Sequence, residues 1–317
     1  MIKKLYITAL SMILLTLTFT TATFAWVSMG ETNRVDGLSL TASTDSNLEF
    51  SLDGINYNSS INNEQLQILF KDLRMEDVTS LNGYEFFSNY AMSEKYVYPN
   101  INYISLEIYV RTNTRYRDVY LVDNVTSSVE FDSTPKNGTF VTSKGVEYRS
   151  PVDFEYAPGI FRNSDVPYKY YAKDAIRISF KEIKLENPND ERNENQLINF
   201  IFDPSGNPDR GYGKPYGAIS FVNNTKVFIV PVPTVVPETR YELSKFDEYN
   251  PYMPLNPNSK IMRLIKTDNL DNQNRFYYEG KFQINIWLEG FDADMFDAIY
   301  RDTLKFQLEF RSALPVD

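Results

Sequence analysis

The 317-residue chain contains neither cysteine nor histidine. Without cysteine no disulfide can brace the fold, so stability has to come from packing. The two absences also close off Cys–His and Ser–His–Asp nucleophilic sites and the zinc sites that need those ligands. A metalloprotease helix of the H-E-x-x-H kind goes with them. Paired carboxylates, tyrosine and lysine remain available for catalysis. Positive charge is scarce as well, with 32 Lys and Arg against 42 Asp and Glu, a formal net charge of -10. Such a chain repels nucleic acid and anionic lipid, so neither is an expected partner, whereas divalent cations and basic partners are attracted. No cofactor is expected, and no internal repeat is visible.

Aromatic residues, by contrast, are abundant, with 23 Tyr and 22 Phe. The start of the chain is equally distinctive. Lys3 and Lys4 precede a stretch without charge, residues 5–25, which closes on Thr23-Phe24-Ala25 before Trp26. A basic opening, an apolar run and a small-residue exit make up a secretory signal peptide, predicted here to be residues 1–25. Cleavage there takes the formal charge to -12 and leaves 292 residues. The predicted location is secreted or cell-surface. A retained anchor is the alternative, since about 20 apolar residues span a bilayer; the membrane would then be met only through this uncleaved segment.

From Val35 onward the dominant period is two. Leu38 and Leu40 alternate with Ser39 and Thr41, and Leu48, Phe50 and Leu52 with Glu49 and Ser51, before a tight Asp53-Gly54 turn. Ile104, Leu106, Ile108 and Val110 share one face; Ile176, Ile178 and Phe180 repeat the pattern with Arg177, Ser179 and Lys181 outward. Near the end, Phe282, Ile284, Ile286 and Leu288 alternate with polar residues and Trp287, and Leu304, Phe306, Leu308 and Phe310 with Lys305, Gln307, Glu309 and Arg311. Strands with one wet face belong to antiparallel sheets. The expected fold is all-β, an antiparallel β-sandwich or jelly roll with long loops and one or two short helices. Leu66, Leu69, Phe70 and Leu73 predict an amphipathic helix over residues 63–74, and residues 294–300 a turn or two capped by Asp292 or Asp294.

Residues 186–278 change character. They are rich in Pro and Asn, with one short strand predicted over 227–230, and read as long loops inserted in a single sandwich domain, residues 26–317. A separate inserted domain is the alternative.

Four motifs in order carry a resemblance. Ala22-Thr23-Phe24-Ala25-Trp26 followed by Val35-Asp36-Gly37-Leu38-Ser39-Leu40 resembles exported proteins of Gram-positive bacteria with a SipW-type signal peptide. Asn47-Leu48-Glu49-Phe50-Ser51-Leu52-Asp53-Gly54-Ile55-Asn56-Tyr57 is similar to their strand–Asp-Gly–strand hairpin. The run from Ile104 to Val110 with Val119-Tyr120-Leu121 is similar to a middle strand pair. Ile286-Trp287-Leu288-Glu289-Gly290-Phe291-Asp292-Ala293-Asp294, with Asp302-Thr303-Leu304-Lys305-Phe306-Gln307-Leu308-Glu309-Phe310, is similar to their C-terminal ending. The nearest such group with a known role is the TasA/camelysin-like biofilm-matrix proteins. The resemblance covers about a third of the chain, and residues 186–278 have no counterpart in it. It implies a jelly roll and fibres in which one subunit's N-terminal segment completes the next subunit's sheet.

Physical reasoning permits the same. Trp26, Val27, Met29, Val35, Leu38 and Leu40 make up a candidate polymerising strand at a newly cut terminus. An open sheet edge accepts such a strand, and a head-to-tail contact that does not close yields a filament. Pairing of residues 35–41 within their own subunit is the alternative. The expected function is therefore a structural, non-enzymatic subunit of an extracellular filament or biofilm matrix. Its partners would be further copies of itself, with other matrix or cell-wall components besides.

Other residues invite chemistry. Glu289, Asp292, Asp294 and Asp297 form the densest acidic cluster, read as a capped turn with solvated acids, and secondarily as a calcium site or a glycosidase pair. Asp36, Asp45 and Asp53 read as turn residues. The glycine-rich run 206–217 matches no phosphate loop and reads as a mobile surface loop, on which Arg210, Tyr212 and Tyr216 are candidate carbohydrate contacts. A monomeric surface module binding carbohydrate or cell wall is the alternative function.

Overall fold

A computed structural model describes residues 33–43, 46–88, 97–132, 137–227 and 229–315. The predicted signal segment, Trp26, Val27, Met29 and Asp45 lie outside the described residues. Among the described residues no helix is long and apolar enough to cross a membrane.

The alternating strands assemble into two sheets whose apolar faces meet, an all-β sandwich. One sheet has the order Lys260–Arg263, Asp118–Leu121, Thr303–Ala313, Arg34–Ala42, Ser60–Ile61, and Phe140–Ser143 also pairs with Thr303–Ala313. The other is built around the long strand Phe276–Glu289. Ile176–Ile183 lies on one side of it and Ile104–Thr112 on the other, and Asn199–Phe202 extends the sheet beyond Ile176–Ile183. Leu38, Leu40, Ile104, Leu106, Ile178, Phe180, Ile284, Leu308 and Phe310 are all buried in one core between the sheets. Period-two patterning placed these side chains on the inner faces. Phe310 sits among rings of the opposite sheet, with centroids 5.4 Å from Phe50, 5.8 Å from Phe282 and 6.4 Å from Phe180.

Two features depart from the expectation. The sheets are mixed, because Arg34–Ala42 runs parallel to Thr303–Ala313, from Arg34 opposite Thr303 to Ala42 opposite Phe310. Parallel neighbours need a long crossover, and here nearly the whole chain supplies it. Asp36 is the extra residue of a bulge between Val35 and Gly37, and its carboxylate lies 3.7 Å from Lys305 across the seam. The second departure is that the outer face of the larger sheet is not wet. Arg177, Ser179, Asn285 and Trp287 are 2% exposed or less, because other segments of the chain cover that face. Phe86 packs edge-on to Trp287 at 5.2 Å and stacks on Tyr103 at 4.0 Å.

Local elements also differ from expectation. The first helix spans only Asn63–Gln67, closed by a capping box in which Asn62 and Gln65 exchange side-chain and backbone bonds of 3.1 and 3.0 Å. Leu66 reaches the core and Phe70 and Leu73 pack against it, whereas Ile68 and Leu69 are exposed, so the chain beyond Gln67 continues as turns rather than as a regular helix. The 294–300 segment has a single 3-10 turn, Asp297–Ile299, without a side-chain cap. The hairpin loop is longer than two residues: Phe50 pairs with Asn58, while the Asp53 carboxylate accepts from the Ile55 and Asn56 amides and Gly54 takes φ +71°. Those bonds and the Ser51 hydroxyl hold the Asp53 carboxyl well below the usual range.

Residues 186–278 do not stand apart. They contribute Asn199–Phe202, Thr239–Arg240 and Ile265–Leu270 to one sheet and Lys260–Arg263 to the other, and Asn33–Asp317 is one compact unit. Val227, Ile229 and Val230 form no strand; the Asn223 side chain instead bonds both backbone groups of Val230. An unpredicted helix, Ala218–Thr225, buries Ala218, Ile219, Phe221 and Val222. Truncation of Phe310 to alanine is expected to remove about 3–5 kcal/mol of stability, read from urea unfolding.

Candidate functional site

Two places concentrate what the sequence singled out. The first is the seam between the first and last strands. Leu38 and Leu40 are 1% and 0% exposed and Val35 packs against the same core, so in the single chain residues 34–42 complete their own sheet. The strand is nonetheless held unevenly, by a long ladder on one side and a short one on the other. On its other side, among the described residues, its ladder runs through Leu40 and Thr41, with Ile61 and Ser60. The Ala42 amide bonds the Ser59 carbonyl at 3.4 Å, and the Leu38 amide is taken by the Asn63 side chain at 3.3 Å.

The second place is a buried ion cluster at the end of the larger sheet. The alternation that turns Ile176 and Ile178 inward sends Arg177 to the covered face, where its guanidinium is 2% exposed. It donates to the Ile176 carbonyl at 2.9 Å, lies 3.0 Å from Asp203 and pairs with Asp292. Burial works against its charge, but Asp203, Asp292 and Glu289 outweigh this and hold its pKa above the usual value. Glu289 accepts from the Trp287 indole at 2.9 Å and the Phe291 amide at 3.2 Å; burial still raises its pKa. Asp292 accepts from the Asp294 amide at 2.8 Å, and burial lifts its carboxyl well above the usual range, against the pull of Arg177. Asp203 is raised in the same way.

Asp294 carries the cluster outward. Its carboxylate is gripped by Arg210, which also donates to the Tyr156 and Ala293 carbonyls while lying 3.7 Å from the centre of the Tyr156 ring. The run 206–217 is thereby docked, not a free surface loop. Tyr212 is 4% exposed beside Phe291, and the half-buried Tyr216 donates to the Asp209 carbonyl. Gly217 completes the dock: the Ala218 amide bonds Ala293 at 2.8 Å, so close that a Cβ on Gly217 would lie 2.1 Å from the Ala293 oxygen. Arg210 and Tyr212 thus serve as internal braces.

The acidic cluster is likewise different from a capped turn with solvated acids. Glu289, Asp292 and Asp294 are buried and Asp297 alone is exposed. Arg177, Arg210, Trp287 and backbone amides take up the oxygens that a calcium ion or a sugar would need. Among the described residues no group of three or more acidic side chains is arranged to hold a metal ion. The two arginines were missed as partners because they lie 115 and 84 residues from their aspartates.

Asp174 adds a fifth carboxyl around the two guanidiniums. Burial, and then the charge of Asp294, push it up to about 7 from the ordinary 3.8. A carboxyl raised in the folded state keeps its proton there while the unfolded chain has lost it. Its contribution is therefore full in acid and is lost as pH climbs from about 4 to about 7. The Asp174→Asn variant is expected to melt several degrees above the parent at pH 8, with the difference shrinking toward zero at pH 4, by circular dichroism.

Comparison of the chain with protein-family models, curated proteins and solved structures finds no match to any of the three.

Proposed function

We infer that this chain is an exported, non-enzymatic structural subunit of an extracellular filament or matrix, assembled by exchange of its N-terminal strand. The observation that carries this reading is the seam. The sheet needs a strand beside Thr303–Ala313, and the one that fills it comes early in the chain, runs parallel to it and, among the described residues, has a partner strand of two residues on its far side. A neighbour's residues 34–42 would make the same ladder and bury the same two leucines. Exchange therefore leaves the contact energy almost unchanged and turns a closed subunit into a head-to-tail chain. The signal-like residues 1–25 and the resemblance to TasA/camelysin-like proteins agree with it, and the cell surface or its matrix is then the site of action. An uncharged run on the surface supports self-association further. Val227, Ile229, Val235 and Val236 are each more than half exposed, the kind of apolar patch that marks an interaction site. Asp292 pairs with Arg177, and Glu289 and Asp292 accept from amides of the adjoining turn, internal roles that agree with a structural protein.

The test exploits the absence of cysteine. Ser39 and Gln307 are register partners across the seam, so a Ser39→Cys, Gln307→Cys double variant reports which chain supplies the strand. Oxidised after filaments are seen by negative-stain electron microscopy, it is expected to give a ladder of covalent oligomers on a non-reducing gel. Cross-linked monomer alone, at every concentration, would sink the exchange mechanism.

A further inference from the structure

Away from the seam and the ion cluster, one surface groove combines aromatic rings with planar hydrogen-bonding groups. A hollow of about 630 Å³ is lined by Asp123, Tyr241, Glu242, Phe246 and Arg311 among others. It continues into a smaller one of about 190 Å³ that shares Asp123, Pro251 and Arg311 and adds Tyr252. The first falls within the roughly 300–1,000 Å³ of small-molecule sites.

The walls are preformed. Ser244 and Ser259 exchange amide-to-hydroxyl bonds of 2.9 and 2.8 Å, and the Ser259 hydroxyl bonds the Leu121 carbonyl at 2.6 Å, which fixes one wall on the sheet. The hairpin beyond it is closed by the Asp247 amide on Met253 at 3.0 Å and the Leu255 amide on Lys245 at 2.8 Å. Phe246 packs edge-on to Tyr120 at 5.5 Å, and the Arg311 guanidinium lies 4.8 Å from the Phe246 ring centre while pairing with Asp123 at 3.0 Å. Tyr252 stacks on Tyr116 at 4.1 Å. Phe246, Tyr252, Asp123 and Arg311 are held in this way, so that part of the surface need not be ordered before a ligand meets it.

The chemistry selects the ligand. Carboxylates at Asp123, Glu242 and Asp247 outnumber the cations Lys245 and Arg311, in a chain of net charge -10, so a polyanion is repelled. The walls are mainly polar, which gives little anchorage to an apolar peptide. The exposed Glu242 carboxylate presents two acceptors side by side and the exposed Lys245 ammonium presents donors, matching neighbouring hydroxyls. Tyr and Phe offer flat faces with an apolar body. We propose that this groove binds a neutral oligosaccharide chain, a role independent of strand exchange.

The test is an array of neutral, sialylated and sulfated oligosaccharides probed with the chain from Trp26 onward, with the hits measured by isothermal titration calorimetry. Glu242 and Lys245 are exposed on the groove wall, so the Glu242→Ala, Lys245→Ala double variant keeps the fold, checked by an unchanged melting curve. Binding to neutral glycans, weakened about tenfold or more in the variant, is the expected result; tenfold corresponds to about 1.4 kcal/mol. No glycan bound, binding confined to the anionic glycans, or affinity unchanged in the variant would each overturn the proposal.

Discussion

A guanidinium that cannot reach water must be surrounded by groups that replace it, and Arg177 imposes that condition on this fold. Stripping a charge of its hydration is expensive, and removing one partner of a buried pair typically costs about 3–5 kcal/mol. Asp203 at the end of one strand and Asp292 in the turn after another are brought to it. The turn then positions Asp294, which holds Arg210, and through Arg210 the loop that leads into the Ala218–Thr225 helix. A stretch rich in proline and asparagine is in this way made part of the sandwich by charge as well as by apolar contact. The core alone explains the sheets; the ions explain why the long connections lie where they do.

What could be read in advance follows from what alternation encodes. Leu38, Leu40, Phe282, Ile284, Leu308 and Phe310 were assigned to the inner faces correctly because a strand repeats every two residues. The same rule says nothing about whether the other face is covered. Arg177, Ser179, Asn285 and Trp287 read as outward, and they are, but under other segments of the chain. Direction was equally hidden, since a strand pairing with one more than 260 residues away carries no local mark of running parallel to it. The Ala218–Thr225 helix did leave a trace, in Ala218, Ile219 and Val222 behind a glycine, but eight residues are too few for the period to stand out.

The candidate site followed the same division. Glu289, Asp292 and Asp294 were visible as a dense acidic group, and their function as internal partners was not, because the cations that define it come from distant strands and loops. Arg210 and Tyr212, picked out for their setting in a glycine-rich run, are used to anchor that run. The groove around Tyr241, Phe246 and Arg311 draws on three separated segments, and none of them carries a motif.

The parallel seam has a mechanical meaning. Strands that run side by side in the same direction put the entry to the first, at Asn33, and the exit from the last, at Ala313, at opposite ends of their shared ladder. Tension applied between those two points slides the strands along each other, so the inter-strand bonds share the load and do not open one after another like a zip. An exchanged strand would keep that geometry at every joint. A thread of such subunits would then resist pulling with its whole seam at once.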